Sequence, residues 1–200
     1  MNAPQSKSRL PFFVLSGIIF GIFGIYFMTL LPGQSKALPL LGKVNDFELT
    51  DSQGQSFSTG SLKNKIWVTE FFFTTCAGPC PIMTANLASI YRSYLLEKDV
   101  NFVSITVNPE TDTPQVLTEY AKRYGADTSR WHFLTGSKEK ILKIAADEFK
   151  TGSTENPIFH SSHLILVDRK GNIRGYYDGT DKDGVKSLFK DIAVLRKEKP

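Results

Sequence analysis

Ile66-Trp67-Val68-Thr69-Glu70-Phe71-Phe72-Phe73-Thr74-Thr75-Cys76-Ala77-Gly78-Pro79-Cys80-Pro81 joins a bulky, mostly apolar run to the only two cysteines of the chain. The run 66–73 has the character of a strand covered on both faces. Cys80-Pro81 then opens a helix, because proline is tolerated in a first turn where its missing N–H costs nothing. The helical body extends over 82–96, with Met83, Leu87, Ile90, Tyr91, Tyr94 and Leu95 recurring at helical spacing. All the thiol chemistry is thereby concentrated at one strand-to-helix junction.

Working outward, 47–50 and 56–58 form a short hairpin about the turn Asp51-Ser52-Gln53-Gly54. Downstream, 100–107 is a second strand, Thr113-Pro114 starts a helix closed by Gly125, and 131–134 is a third strand. Ser137 caps a helix reaching about 149. Strand 163–167, the turn Asp168-Arg169-Lys170-Gly171-Asn172, strand 173–177 and a helix over 183–196 complete the chain. This order predicts an α/β, thioredoxin-like domain, a central mixed sheet flanked by helices and ending in a hairpin and helix.

The 200 residues exceed what that domain needs. After a polar head, 1–9, with Lys7 and Arg9 and no acid, residues 10–31 carry no charged side chain. Roughly 20 such residues are long enough to cross a bilayer as a helix. A cleaved signal peptide would share the basic head, but the run is long for a signal core and no convincing small-x-small site follows it. The expectation is a transmembrane anchor, with a linker over 32–45 and the domain over 46–200. Lys7 and Arg9 favour a cytoplasmic N-terminus and a domain on the far side, in the periplasm or another extracytoplasmic space, although Lys36 and Lys43 oppose this. The head is too short for an organelle-targeting peptide followed by an anchor, so the membrane expected is a bacterial inner membrane. The net charge of +4 is spread among nearly as many acids and points to solvated helices, not to nucleic acid.

Cys76 and Cys80 are four residues apart, which on a helical turn puts their α-carbons about 6 Å apart, within disulfide range. The helix N-terminus is expected to lower the pKa of at least Cys80. Pure dithiol exchangers more often use a two-residue spacer, which shifts weight toward metal. Three histidines offer a third ligand: His132, His160 and His163. His132 reads as a packed or strand-surface imidazole. His160 and His163, three apart on an extended chain, face opposite ways and do not bind one ion together. Two thiolates with one imidazole suit copper, as Cu(I) and also as Cu(II). Zinc would normally want a fourth protein ligand or an open catalytic position.

Phe72-Phe73-Thr74-Thr75-Cys76-Ala77-Gly78-Pro79-Cys80-Pro81-Ile82-Met83, then 103–114, then Trp131-His132-Phe133-Leu134-Thr135-Gly136 and His160-Ser161, resemble in order the motifs of the Sco (SenC) proteins. These are membrane-anchored copper-handling proteins of cytochrome oxidase assembly, with a thioredoxin-like fold carrying an added hairpin. The resemblance spans roughly 44–195. It implies Cys76, Cys80 and His160 as copper ligands. His160 fits because it precedes Ser161 and stands about eleven positions before the turn glycine, Gly171. Two departures stand out: Asn108 and Phe159 occupy positions where the family usually has Asp, so fewer carboxylates support Cu(II) or orient the imidazole.

Two functions compete. In the first, a metallochaperone rather than an enzyme takes copper from an upstream donor and passes it by ligand exchange to the CuA-bearing subunit of cytochrome c oxidase. In the second, Cys76 and Cys80 act catalytically as a thiol-disulfide oxidoreductase, fed by a thiol reductant, that reduces the CuA-site cysteines. A peroxidase would ask for a lone activated cysteine in a polar pocket. Thr74, Thr75, Asp112 and Thr113 read mainly as loop and capping residues. Tyr176-Tyr177 reads as core or as a docking patch.

Overall fold

The computed structural model describes Phe23, Tyr26, and residues 37–151 and 162–198. The chain divides into two units, Met1–Lys36 and Ala37–Pro200. In the first, Phe23 and Tyr26 are helical and exposed. The head expected over 1–9 and the rest of the anchor expected over 10–31 lie outside the described residues. Among the described residues, no helix is long and apolar enough to cross a membrane.

In the second unit the described elements are β1 (Gly42–Lys43), β2 (Glu48–Asp51), β3 (Ser56–Ser58), β4 (Ile66–Phe72), α1 (Pro79–Ser93), β5 (Val100–Thr106), α2 (Pro114–Tyr124), β6 (Trp131–Thr135), α3 (Lys138–Asp147), β7 (His163–Val167), β8 (Asn172–Asp178) and α4 (Lys182–Lys197). They form one mixed sheet in the order β1-β8-β7-β4-β5-β6-β2-β3. β4, β5 and β6 are parallel, whereas β7 runs antiparallel to β4 and β8 antiparallel to β7. This is the expected α/β architecture.

β4 is buried along its whole length, as its apolar composition requires of an interior strand. Its alternation divides the core. Ile66, Val68 and Phe72 face α1, α2 and α4, with Met83, Leu87, Leu117, Leu188 and Ile192. Trp67 and Phe71 face α3 and the N-terminal hairpin, with Ile141, Ile144, Phe47 and Phe57. The helices start where their caps dictate. Thr113 accepts from the Val116 amide at α2, Ser137 from Lys140 at α3, and Asp181 from Asp183 and Gly184 at α4. Gly125 ends α2 in the left-handed region, at φ 68°.

Residues 37–43, within the stretch read as linker, lie on this unit. Gly42 and Lys43 pair with Ile173 and Asn172 of β8. Arg174 donates from its guanidinium to the Leu38 and Pro39 carbonyls at 2.8 and 3.0 Å. Because Trp67 opposes Val167 in the antiparallel register, the β7–β8 turn lies at the start of β4. The cysteines, following the end of β4, lie at the other end of the sheet.

Candidate functional site

The loop leaving β4 is fastened from the neighbouring β5–α2 connection. Asp112, fully buried, accepts from the Thr74 amide at 3.0 Å, and from the hydroxyls of Thr74 and Thr106 at 2.5 Å each. The Cys76 amide donates to the Phe73 carbonyl at 3.2 Å, which turns the chain toward α1. Asp112 and Thr74 are therefore loop-holding residues and Thr113 a helix cap, as their residue types imply.

Both cysteines are free thiols. Gly78 is the N-cap of α1 and has no side chain to satisfy the first amides. Burial works against ionisation of Cys76, but hydrogen bonds from the Cys80 thiol and from the Cys80 and Gly78 amides carry its pKa below the ordinary thiol value. Cys80 behaves in the opposite sense to the expectation. It is 6% exposed, and burial pushes its thiol up to about 12, helped by its hydrogen bond to Cys76 and by the charges of Cys76 and Glu70. The positive end of the helix is spent on Cys76 because the free amides point back into the loop, while the Cys80 side chain turns into the core.

Of the candidate third ligands, His132 is separated from the dithiol. It packs against Phe57 with centroids 4.4 Å apart and the rings tilted by 38°, and burial lowers its pKa to about 4. It is a packed imidazole. His163 opens β7, opposite Asp178 and edge-on to Tyr176. His160 lies outside the described residues. The chain resumes at Ser162, whose carbonyl accepts from the Gly179 amide at 2.7 Å. Gly179 sits directly on α1: a Cβ there would lie 2.6 Å from Met83 Cγ. Ser162, the residue that enters β7, thus lies beside the first turns of the helix that carries Cys80. Among the described residues, no three His, Cys, Asp or Glu side chains are placed to hold a metal ion.

Residues 39–195 match the SCO1/SenC family. The chain belongs to that family. It is 30% identical over 185 residues to the SCO1 protein homolog of Bacillus subtilis, covering 90% of this chain and 95% of the relative. A SCO1/SenC family lipoprotein from Bacillus anthracis superposes with a TM-score of 0.72 at 34% identity, over 80% of this chain and 100% of that one. BsSco, described with a disulfide switch as a member of the Sco family of cytochrome c oxidase assembly proteins, gives 0.71 at 30% identity, over 82% of this chain and 100% of that one. Arabidopsis thaliana ScoI with copper bound gives 0.63 at 25%, over 76% and 99%.

Within this SCO1/SenC domain, one polar residue beside the site had no part in the sequence reading. Glu70 is fully buried on the face of β4 that meets α1. It accepts from Ser104 at 2.7 Å and from Thr84 at 3.3 Å. Ser104 in turn accepts from the Trp131 indole at 2.9 Å, and Thr84 from the Tyr120 hydroxyl at 3.2 Å. Burial raises its pKa to about 7, against the lowering effect of those hydroxyls. The signal was in plain view: a lone acid inside an apolar strand. The tyrosine pair, by contrast, is packing. Tyr177 is buried with its hydroxyl on Asp191 at 2.7 Å, and Tyr176 reaches the Phe149 carbonyl at 3.0 Å.

Proposed function

We propose that this SCO1/SenC protein carries copper on Cys76, Cys80 and His160 and delivers it, by ligand exchange, to the CuA-bearing subunit of cytochrome c oxidase. The observation that carries this reading is the dithiol itself: two free thiols at one helix N-terminus, with the pKa of Cys76 held below the ordinary thiol value by hydrogen bonds from Cys80 and Gly78. Two soft sulfurs suit Cu(I), and an imidazole adds a ligand acceptable to Cu(II). Support comes from the family and from the copper-bound Arabidopsis relative. The related lipoprotein and the uncharged run 10–31 support a membrane-attached protein, single-pass in a bacterial inner membrane with its domain outside the cytoplasm. Copper would reach it from an extracytoplasmic donor.

A second reading is favoured by the asymmetry of the thiols. Cys76, accessible and lowered in pKa, attacks a target disulfide and releases one target thiol; Cys80 then displaces the other, leaving a Cys76–Cys80 disulfide that an external dithiol must reduce. The target would be the oxidised cysteine pair of the same oxidase subunit.

Anaerobic Cu(I) titration of the reduced chain, followed by absorption spectra of the Cu(II) form, separates the two. The copper reading expects one equivalent bound and thiolate-to-Cu(II) charge-transfer bands. His160→Ala should weaken copper binding by at least about tenfold, since loss of even an outer-shell partner of a metal ligand costs that much, while leaving disulfide exchange with a target peptide intact. Unchanged copper affinity in His160→Ala would eliminate the three-ligand site, and absence of the bands in the wild type would leave the reductase.

A further inference from the structure

The end of the sheet opposite the dithiol carries a surplus of lysine. Most acids there are taken by arginines: Asp99 by Arg169 at 2.8 Å, Glu97 by Arg196, and Asp168 and Glu198 by Arg174 at 3.0 and 2.8 Å. Asp127 accepts from the Ser129 amide at 2.9 Å, and Asp46 faces Lys63 at 3.7 Å between exposed side chains. Lys43, Lys65, Lys98 and Lys170 make no ion pair among the described residues. Large apolar side chains are exposed at the same end: Leu40 is 71% exposed, Leu41 47%, Leu95 50% and Leu96 93%. The two sets intermix. Leu40 shares a cavity wall with Lys170, and Leu95 shares another with Lys65 and Lys98.

Protein interfaces are depleted of lysine and enriched in aromatics, which argues against a protein partner here. Exposed leucines add nothing to recognition of a nucleic-acid backbone. Leucine among unpaired lysines instead matches a surface lying in a lipid headgroup layer, the leucines entering the acyl boundary and the lysine stems extending along it. Anionic headgroups supply the complementary charge. Chain length agrees. Ala37 lines the same cavity as Arg169 and Lys170, and the uncharged run ends at Leu31. The residues between, 32–36, span no more than about 20 Å.

We propose that this lysine- and leucine-bearing end is a docking face for an anionic phospholipid surface, and that the dithiol is thereby presented away from the bilayer. The length of β4 alone sets the two ends about 20 Å apart. The inference does not depend on copper.

The full chain in lipid nanodiscs, treated with a water-soluble amine-acetylating reagent and read lysine by lysine by mass spectrometry, tests it. With phosphatidylglycerol present, Lys43, Lys65, Lys98 and Lys170 should acetylate about fivefold more slowly than in neutral detergent, and Lys138 and Lys182, at the dithiol end, at an unchanged rate. High salt or all-phosphatidylcholine discs should abolish most of the difference. The combined surface variant L95Q, L96Q and K98E should restore acetylation of Lys43 and Lys170. Equal rates at both ends overturn the proposal, as does protection that survives in phosphatidylcholine or that grows with protein concentration, which would mark a second copy as the cover.

Discussion

Glu70 is the residue whose charge state the fold controls most directly. Its pKa rises from 4.5 in the ordinary glutamate to about 7 in the folded chain. Between those values the folded protein holds a proton that the unfolded chain has released. Stability therefore falls as pH rises from about 4.5 to about 7, and the loss is complete above that. Glu70→Gln keeps an acceptor for Ser104 and Thr84 but removes the charge. The variant should be more stable than the wild type at pH 8 by about 1–3 kcal/mol and indistinguishable or weaker at pH 4. Urea unfolding at the two pH values checks this, and parallel pH profiles for the two proteins would contradict it.

At the scale of elements, Gly184 in the first turn of α4 sets two effects against each other. Alanine is better in a helix interior by about 1 kcal/mol. A Cβ at Gly184, however, would press into the Asp178 backbone carbonyl, well inside contact distance, where no flexible side chain can yield. Overpacking of that kind costs about 1–3 kcal/mol, so Gly184→Ala should lower the urea midpoint instead of raising it. The elements themselves were largely legible in sequence. β4 showed as an apolar run, and α2 and α3 by Thr113, Gly125 and Ser137 at their ends. β1 was not, because two paired residues, Gly42 and Lys43, carry no periodicity. Cys80 was misjudged for a related reason: spacing marks a helix N-terminus but not which sulfur its amides meet. Glu70 stood out in sequence as a lone acid in an apolar strand, but its hydrogen-bond network did not, because Thr84 and Ser104 come from other elements.

Across the whole molecule, Arg174 ties together segments far apart in the chain. Its guanidinium is 7% exposed and joins Asp168 in the β7–β8 turn, Glu198 after α4, and the carbonyls of Leu38 and Pro39. Removing one partner of a buried ion network is costly because it strands the other charges. Arg174→Met should destabilise the domain by about 2–4 kcal/mol and speed hydrogen exchange together in 37–43 and at the end of α4; faster exchange in only one of the two would break the link. The sheet that this clasp borders also divides the molecule optically. Trp131 lies in the core on the dithiol side, one hydroxyl away from Glu70, whereas Trp67 lies in the opposite core against Phe149. Replacing either indole with phenylalanine leaves an intrinsic fluorophore confined to one side of the sheet. The emission of Trp131 should then shift as Glu70 ionises, and that of Trp67 should hold steady as a reference from the other side.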